Sequence, residues 1–311
     1  MEHFVTLLNK LFLPQGLALH LSTERYVRNY VLWILCVDDE AYRVLERLGL
    51  PNVRLLKLSE LETRELLEVK SERTIGEYCW TLTPFSPRFV FEADELVQRV
   101  TYLDADLWFR KHPKSIFDEF DASEKQVLIT EHAYAPQYDQ SATSGHYCVQ
   151  FMTFIREGSE TVRKWWEDRC IEWCFGRFEG GKFGDQKYLD DWPERFSESV
   201  HVLKNKELAL APWNASRFPY GNSVFYHFHG LRLTSINTID IGNYYLPSVL
   251  RRHVYKPYIE DLRVVIKLLT DKGCTFEPQL KPVGFVRYYY WKLLFLKTHF
   301  WPFCGDRYHR F

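Results

Sequence analysis

The sequence predicts an α/β fold: a mostly parallel central sheet flanked by helices, with a helical appendage at the C-terminal end. Two observations carry this. Short apolar runs rich in β-formers alternate with stretches of helical periodicity through the first hundred residues, the signature of a wound parallel sheet. The runs are also apolar throughout rather than alternating, as strands covered on both faces must be.

Phe4 to Asn9 reads as a short buried strand, and Pro14 opens a helix to about Val27. Tyr30 to Val37 is a dense apolar run ended by Asp38-Asp39, suited to a central strand. A helix follows near Glu40 to Leu48, then a turn at Pro51-Asn52 and a strand at Val53 to Leu58. Ser59 and Glu62 match a capping box for a helix running to about Lys70. Ser71 to Thr83 is helical by pattern and is stopped by Pro84. Arg99 to Leu103 is a buried strand that ends at Asp104. Further strands are expected at Gln126 to Thr130, Tyr147 to Ile155 and Ser223 to Phe228. Between them Val162, Trp165, Trp166, Cys170 and Trp173 fall at helical spacing. Pro257 opens an amphipathic helix to about Thr270, with Gly273 as terminator. The predicted organisation is a main α/β domain over residues 1–250 and a helical, basic-aromatic appendage over 251–311.

Composition excludes several classes. Forty Lys and Arg against 41 Asp and Glu leave a net charge of −1, which removes a global electrostatic case for a nucleic-acid binder. Seven scattered cysteines without a CxxC pair read as free thiols in a reducing compartment. The start Met1-Glu2-His3-Phe4 is acidic rather than basic and without a cleavage-site pattern, so no signal peptide is expected, and no apolar run reaches the ~18 residues that span a bilayer. A cytoplasmic protein is expected. Aromatic residues make up 17% of the chain, most of them destined for the core.

The sharpest motif is Val100-Thr101-Tyr102-Leu103-Asp104-Ala105-Asp106, two carboxylates just past the carboxyl end of a buried strand. Ligands bind at that end of open α/β sheets. If the strand continues, Asp104 and Asp106 face the same way, and two hard oxygen donors suit Mg²⁺ or Mn²⁺ holding a diphosphate. The second motif is His227-Phe228-His229-Gly230, where an imidazole can complete such a coordination set.

These two motifs and Gly184-Asp185-Gln186, taken in order, resemble the retaining GT-A glycosyltransferases of glycosyltransferase family 8 and their bacterial relatives, over roughly residues 4–233. The resemblance implies a GT-A-like sheet and transfer of a hexose-type sugar from a nucleotide diphosphate, UDP by preference, to a glycan or glycolipid. It implies that Asp104, Asp106 and His227 hold Mn²⁺ or Mg²⁺ on the donor diphosphate, and that Asp185 and Gln186 sit beside the transferring sugar. Asn9 and Asp38 would lie near base and ribose, and Lys70 and Arg73 would reach the phosphates or the sugar. On the strand where the family has Asn-x-Gly this chain reads Tyr147-Cys148-Val149-Gln150, so Gln150 stands in for an acceptor or sugar contact. Leu233 replaces a family lysine, and Arg232 offers the charge instead. Trp213 and Asn214 are candidate acceptor contacts.

Two rival readings exist. A haloacid-dehalogenase-like phosphatase also sets Asp-x-Asp after an apolar strand, and Gly184-Asp185 with Asp190 imitates its later acids. The other is a non-catalytic nucleotide-sugar-binding module. The stretch 281–311 interleaves Lys281, Arg287, Lys292 and Lys297 with Tyr288, Tyr289, Tyr290 and Trp291. Such a tail suits the headgroup region at the inner face of a membrane, or packing on the domain or in a dimer. A transferase working there would serve a surface glycan such as lipopolysaccharide.

Overall fold

The computed structural model describes residues 1–274 and 277–279, together with the backbone of 308–310. The chain forms two compact units, Met1–His227 and Phe228–Phe311.

The first unit is built on a seven-stranded sheet. Its strands are β1 (Glu2–Leu8), β2 (Tyr30–Cys36), β3 (Val53–Lys57), β4 (Arg99–Leu103), β6 (Val127–Glu131), β7 (Tyr147–Ile155) and β8 (Val200–Val202). They lie in the order β3-β2-β1-β4-β7-β6-β8, and every pairing is parallel except those that β7 makes with β4 and β6. The expected mostly parallel sheet is therefore present, and β2 is buried along its whole length. A smaller sheet joins β5 (Leu107–Phe109), β9 (Ala209–Leu210) and β10 (Phe225–His227) in the order β5-β10-β9.

Nine α-helices of the unit surround or brace the sheet. They are α1 (Leu13–Tyr26), α2 (Asp39–Leu48), α3 (Arg64–Lys70), α4 (Ile75–Leu82), α5 (Phe85–Ala93), α6 (Lys114–Asp121), the one-turn α7 (Ser141–Ser144), α8 (Glu160–Glu172) and the one-turn α9 (Trp192–Arg195). Two local predictions need correction. Ser59 lies in a short 3-10 turn, and the cap of α3 is Thr63, whose hydroxyl accepts from Leu66 N. The capping box belongs to α4, where Thr74 and Glu77 satisfy each other's backbone N–H groups. Pro84 does not merely stop a helix. It also precedes α5, a helix the sequence pattern does not announce, since proline is tolerated where no intrahelical donor is needed.

The aromatic residues fill the core as expected. Trp166 on α8 is fully buried, stacks on Phe154 of β7 at 6.5 Å, and meets Trp192 edge-on at 5.4 Å. Its indole N–H donates to Asp185 O at 2.8 Å, so the core reaches directly to the Gly-Asp-Gln segment.

The second unit carries a three-stranded antiparallel sheet, Arg232–Ser235, Thr238–Asp240 and Tyr308–Arg310, besides its helices. The longest helix, Lys256–Asp271, matches the predicted amphipathic one and buries Tyr258, Leu262, Val265, Ile266 and Leu269. Phe228 stacks on Tyr258 at 3.6 Å. Apart from that last backbone strand, the basic aromatic stretch 281–311 lies outside the described residues. Among the described residues no helix is long and apolar enough to cross a membrane.

Trp166→Ala is expected to lower the unfolding free energy by about 3–5 kcal/mol. Urea denaturation should show this as a lower midpoint at unchanged slope; a loss below about 1 kcal/mol would contradict the central packing role.

Candidate active site

The site forms where parallel strands end. β1, β2 and β4 run side by side, so Asn9, Asp38 and Asp104 all lie just beyond the carboxyl edge of the sheet. The Asp-x-Asp segment is not a continued strand: β4 stops at Leu103, and Leu107 N bonds back to Asp104 O at 3.0 Å before β5 begins in the second sheet. The expected alternation along a strand is thus replaced by a turn. The two carboxylates converge all the same, because β10 pairs with β5 and sets His227 opposite Leu107. His227 Nε2 lies 3.0 Å from Asp106 Oδ1 and 3.6 Å from Asp104 Oδ2.

Each member is held from behind. Tyr102 OH donates to Asp104 Oδ1 at 3.0 Å, and Asp104 N donates to Gln150 O at 3.1 Å. On β7, fully buried Gln150 turns its side-chain Oε1 to His227 Nδ1 at 3.0 Å. A carbonyl oxygen there keeps the proton on Nδ1 and leaves Nε2 as the ligating nitrogen. The Trp213 ring meets the His227 ring edge-on at 5.4 Å and limits its rotation. Two carboxylates and an imidazole, with ligand atoms within 4.8 Å of one another, form a donor set suited to a divalent cation such as Mn²⁺ or Mg²⁺.

The electrostatics fit a cation site. Burial acts to lower the pKa of His227, but Asp106 and Asp104 outweigh it and hold the imidazolium well above its ordinary range. Burial pushes Asp104 up, partly offset by His227. Asp185, 2% exposed, is pushed up to about 7, first by burial and then by the charge of Asp104. Its Oδ2 is buried with no hydrogen-bond partner, and the Thr83 hydroxyl stands beside both Asp185 and Tyr102. Asp104, Tyr102, Thr83 and Asp185 therefore form one connected polar group at the floor of the site.

The other predicted residues have more varied surroundings. Gln186 sits next to Asp185 and donates from Nε2 to Ser144 O of α7 at 2.8 Å. Asn9 accepts from Leu11 N, while Asp38 accepts from Ala41 N and Lys10 N at 2.7 and 2.9 Å, so the two cap neighbouring segments at adjacent strand ends. Lys70 is paired with Glu62 at 2.6 Å. The Arg73 guanidinium is spent on Thr81 and on Ile171 O at the end of α8. Gln150 lies behind His227, with its Oε1 on the imidazole. Asn214 is wholly buried, its amide bonded to His132 O, Ala209 O and Ala211 N; Trp213 is 4% exposed and donates to His132 O. Both hold a loop together and offer no open face. Asp190 is engaged by His146 N and Lys187, which leaves the phosphatase-like use of its carboxylate unsupported. Arg232 lies in the second unit and bonds to Leu231 O, and His229 there faces Tyr244 at 6.2 Å. Sequence reading missed Tyr102 and Thr83. The tyrosine stood inside the recognised motif, but only the fold shows that its hydroxyl turns back onto Asp104.

The chain is 30% identical to the uncharacterized protein YfnD of Bacillus subtilis (strain 168) over 84% of its own length and 88% of that protein. It is 31% identical to the uncharacterized protein YfnF of the same strain, over 76% and 84%. It belongs to the YfnD and YfnF family. No protein-family model matches it. Among solved structures the family fold is similar to the galactosyltransferase LgtC in complex with donor and acceptor sugar analogs (TM-score 0.53, 11% identity, 89% of this chain and 98% of that one). It is also similar to the bifunctional WbbM (TM-score 0.52, 13% identity, 86% and 51%) and to the glycosyltransferase GlyE of Streptococcus pneumoniae TIGR4 (TM-score 0.50, 16% identity, 90% and 66%). The fold of this YfnD-type chain is thus that of the GT-A glycosyltransferases.

Two outcomes test the site. Calorimetric titration with Mn²⁺ should show binding that weakens as pH falls, since His227 must lose its proton. Asp106→Asn should weaken it on the order of a hundredfold, and Gln150→Ala about 10–100-fold, the usual loss when a group orienting a ligand is removed; unchanged affinity in Asp106→Asn contradicts the metal assignment. In metal-free protein, Asp185 binds its proton more tightly folded than unfolded. Stability from this group is therefore lost as pH rises from about 4 towards about 7. Asp185→Asn should gain on the wild type between about pH 4 and about 7 in urea melts and level off above that.

Proposed function

We propose that this protein is a metal-dependent glycosyltransferase that moves a hexose-type sugar from a nucleotide diphosphate donor, UDP by preference, to a glycan or glycolipid, with retention of configuration. The observation that carries the reading is the convergence of Asp104, Asp106 and His227 at the carboxyl edge of a GT-A sheet, with Asp185 buried alongside. A divalent ion held there supplies Lewis-acid stabilisation of the charge that grows on the departing diphosphate.

The chain's own residues do the rest. Asp104 and Asp106 provide the hard oxygen donors. Gln150 and Trp213 hold the imidazole of His227 in one tautomer and one plane. Asp185 presents a buried carboxyl oxygen that its neighbours leave unsatisfied, suited to the hydroxyls or the developing positive centre of a sugar. Gln186, tied through its amide nitrogen to α7, keeps its place next to it. Asn9 and Asp38 mark the base and ribose end, at the edge formed by β1 and β2. Lys70 and Arg73 would serve phosphate or sugar only by leaving the partners they hold. Acceptor roles for Trp213 and Asn214 are not retained, because both are closed off in the loop.

Incubation with a panel of UDP-sugars and Mn²⁺ should release UDP, and chelation or Asp106→Asn should reduce that release by at least a hundredfold. Phosphate release from phosphomonoesters in place of UDP release would support the phosphatase. Nucleotide-sugar binding without turnover would support the binding module.

A further inference from the structure

Trp80 is the one exposed tryptophan among the described residues, with 36% of its surface open, whereas Trp33, Trp108, Trp166, Trp173, Trp192 and Trp213 are all buried. Among the described residues Trp165 is partly buried and Trp80 is the indole most open to water, and a large apolar ring so placed is informative. Its place is more telling than its exposure. Trp80 and Thr83 are three apart at the end of α4 and so lie on one side of the helix. Thr83 stands at the floor beside Asp185, and Trp80 lies at the rim over Gly184, the residue before Asp185.

The backbone has been shaped to let the ring lie there. A Cβ at Gly184 would come within 3.3 Å of Trp80 Cε3, and one at Gly176 within 3.5 Å of Cζ3. The benzo edge of the indole thus rests on two glycines. Gly184 also has φ +52, which side-chain-bearing residues rarely adopt. The ring is braced on both sides. Glu77, one turn before it, accepts from Gly176 N at 2.7 Å and closes the α4 capping box, while Phe183 lies 6.2 Å away, centroid to centroid. Beyond it Phe178, half exposed, precedes a turn whose two glycines, Gly180 and Gly181, both have positive φ. The Glu179 and Lys182 backbones pair across that turn.

An open aromatic face packed on Gly184, the residue before Asp185, has the chemistry of a carbohydrate platform. The C–H face of a pyranose is slightly electropositive and apolar, and it meets the negative face of an indole favourably. We propose that Trp80 is the acceptor platform of this protein: a pyranose ring of the acceptor glycan stacks on its indole, with Phe183 beside it, and so directs a hydroxyl towards the sugar at Asp185. This rests on the glycosyltransferase reading.

The test uses the full-length protein with Mn²⁺ and UDP on an array of immobilised oligosaccharides, comparing wild type, Trp80→Ala and Trp80→Phe. Wild type should retain a subset of glycans. Trp80→Ala should lose at least tenfold of that signal with its melting temperature nearly unchanged, and Trp80→Phe should recover part of it. With 5-fluorotryptophan incorporated, the ¹⁹F resonance absent from Trp80→Phe should shift when a retained glycan is added. The platform is overturned by capture in Trp80→Ala within twofold of wild type, by no glycan capture in the wild type, or by a Trp80 resonance that does not move. UDP release by the wild type, measured separately, judges the glycosyltransferase reading. Its absence alongside Trp80-dependent capture would sink that reading and with it the acceptor role, while glycan binding at Trp80 would stand.

Discussion

Everything at the site depends on one short pairing, that of β10 with β5. Leu107 to Phe109 and Phe225 to His227 contribute three residues each, yet their antiparallel register sets His227 against Leu107. The strand before them, β4, belongs to a different sheet and ends four residues earlier. The turn between the sheets is where Asp104 and Asp106 lie, so an imidazole more than a hundred residues distant is delivered to both carboxylates. β7 closes the arrangement from behind, its antiparallel pairing with β4 bringing Gln150 to Asp104 N and to the far side of the imidazole.

That convergence concentrates negative charge where water is scarce. Asp104, Asp106 and Asp185 cannot all be ionised there at ordinary cost, and burial with mutual repulsion raises Asp104 and Asp185. Relief comes from a positive charge, either the proton that His227 holds or a divalent cation in its stead. The Tyr102 hydroxyl helps fix one oxygen of Asp104, leaving the other turned to His227. A site built this way is preorganised for a cation. The oxygen left without a partner on Asp185 marks where a further polar group would be welcome.

The aromatic residues divide by role. Most are core: Trp166 links β7 to the Asp185 backbone, and Phe151 stacks on Phe225 at 5.2 Å, locking the small sheet onto the large one. Trp213 is buried but works on the site by restricting His227. Trp80 is different, because glycines at positions 176 and 184 give its ring a seat and, among the described residues, its outer part stays open.

The sequence by itself determined the sheet and its helices, because apolar runs without alternation and helical periodicity are local signals set by burial. It also pointed to Asp104, Asp106 and His227, which the fold brings together as one group able to hold a metal ion. Local capping was harder: Ser59 and Glu62 matched a pattern that Thr63, Thr74 and Glu77 fulfil instead, since several hydroxyls near one helix start compete and packing selects among them. Tertiary structure alone decided partners. Gln150 became the support of an imidazole, Arg73 an anchor for the end of α8, and Asn214 a buried brace, because a hydrogen bond between residues 77, 98 or 82 positions apart leaves no trace in either neighbourhood. Exposure was equally invisible. Trp80 and Trp213 are the same residue type in similar company, and only the folded chain buries one and leaves the other facing water.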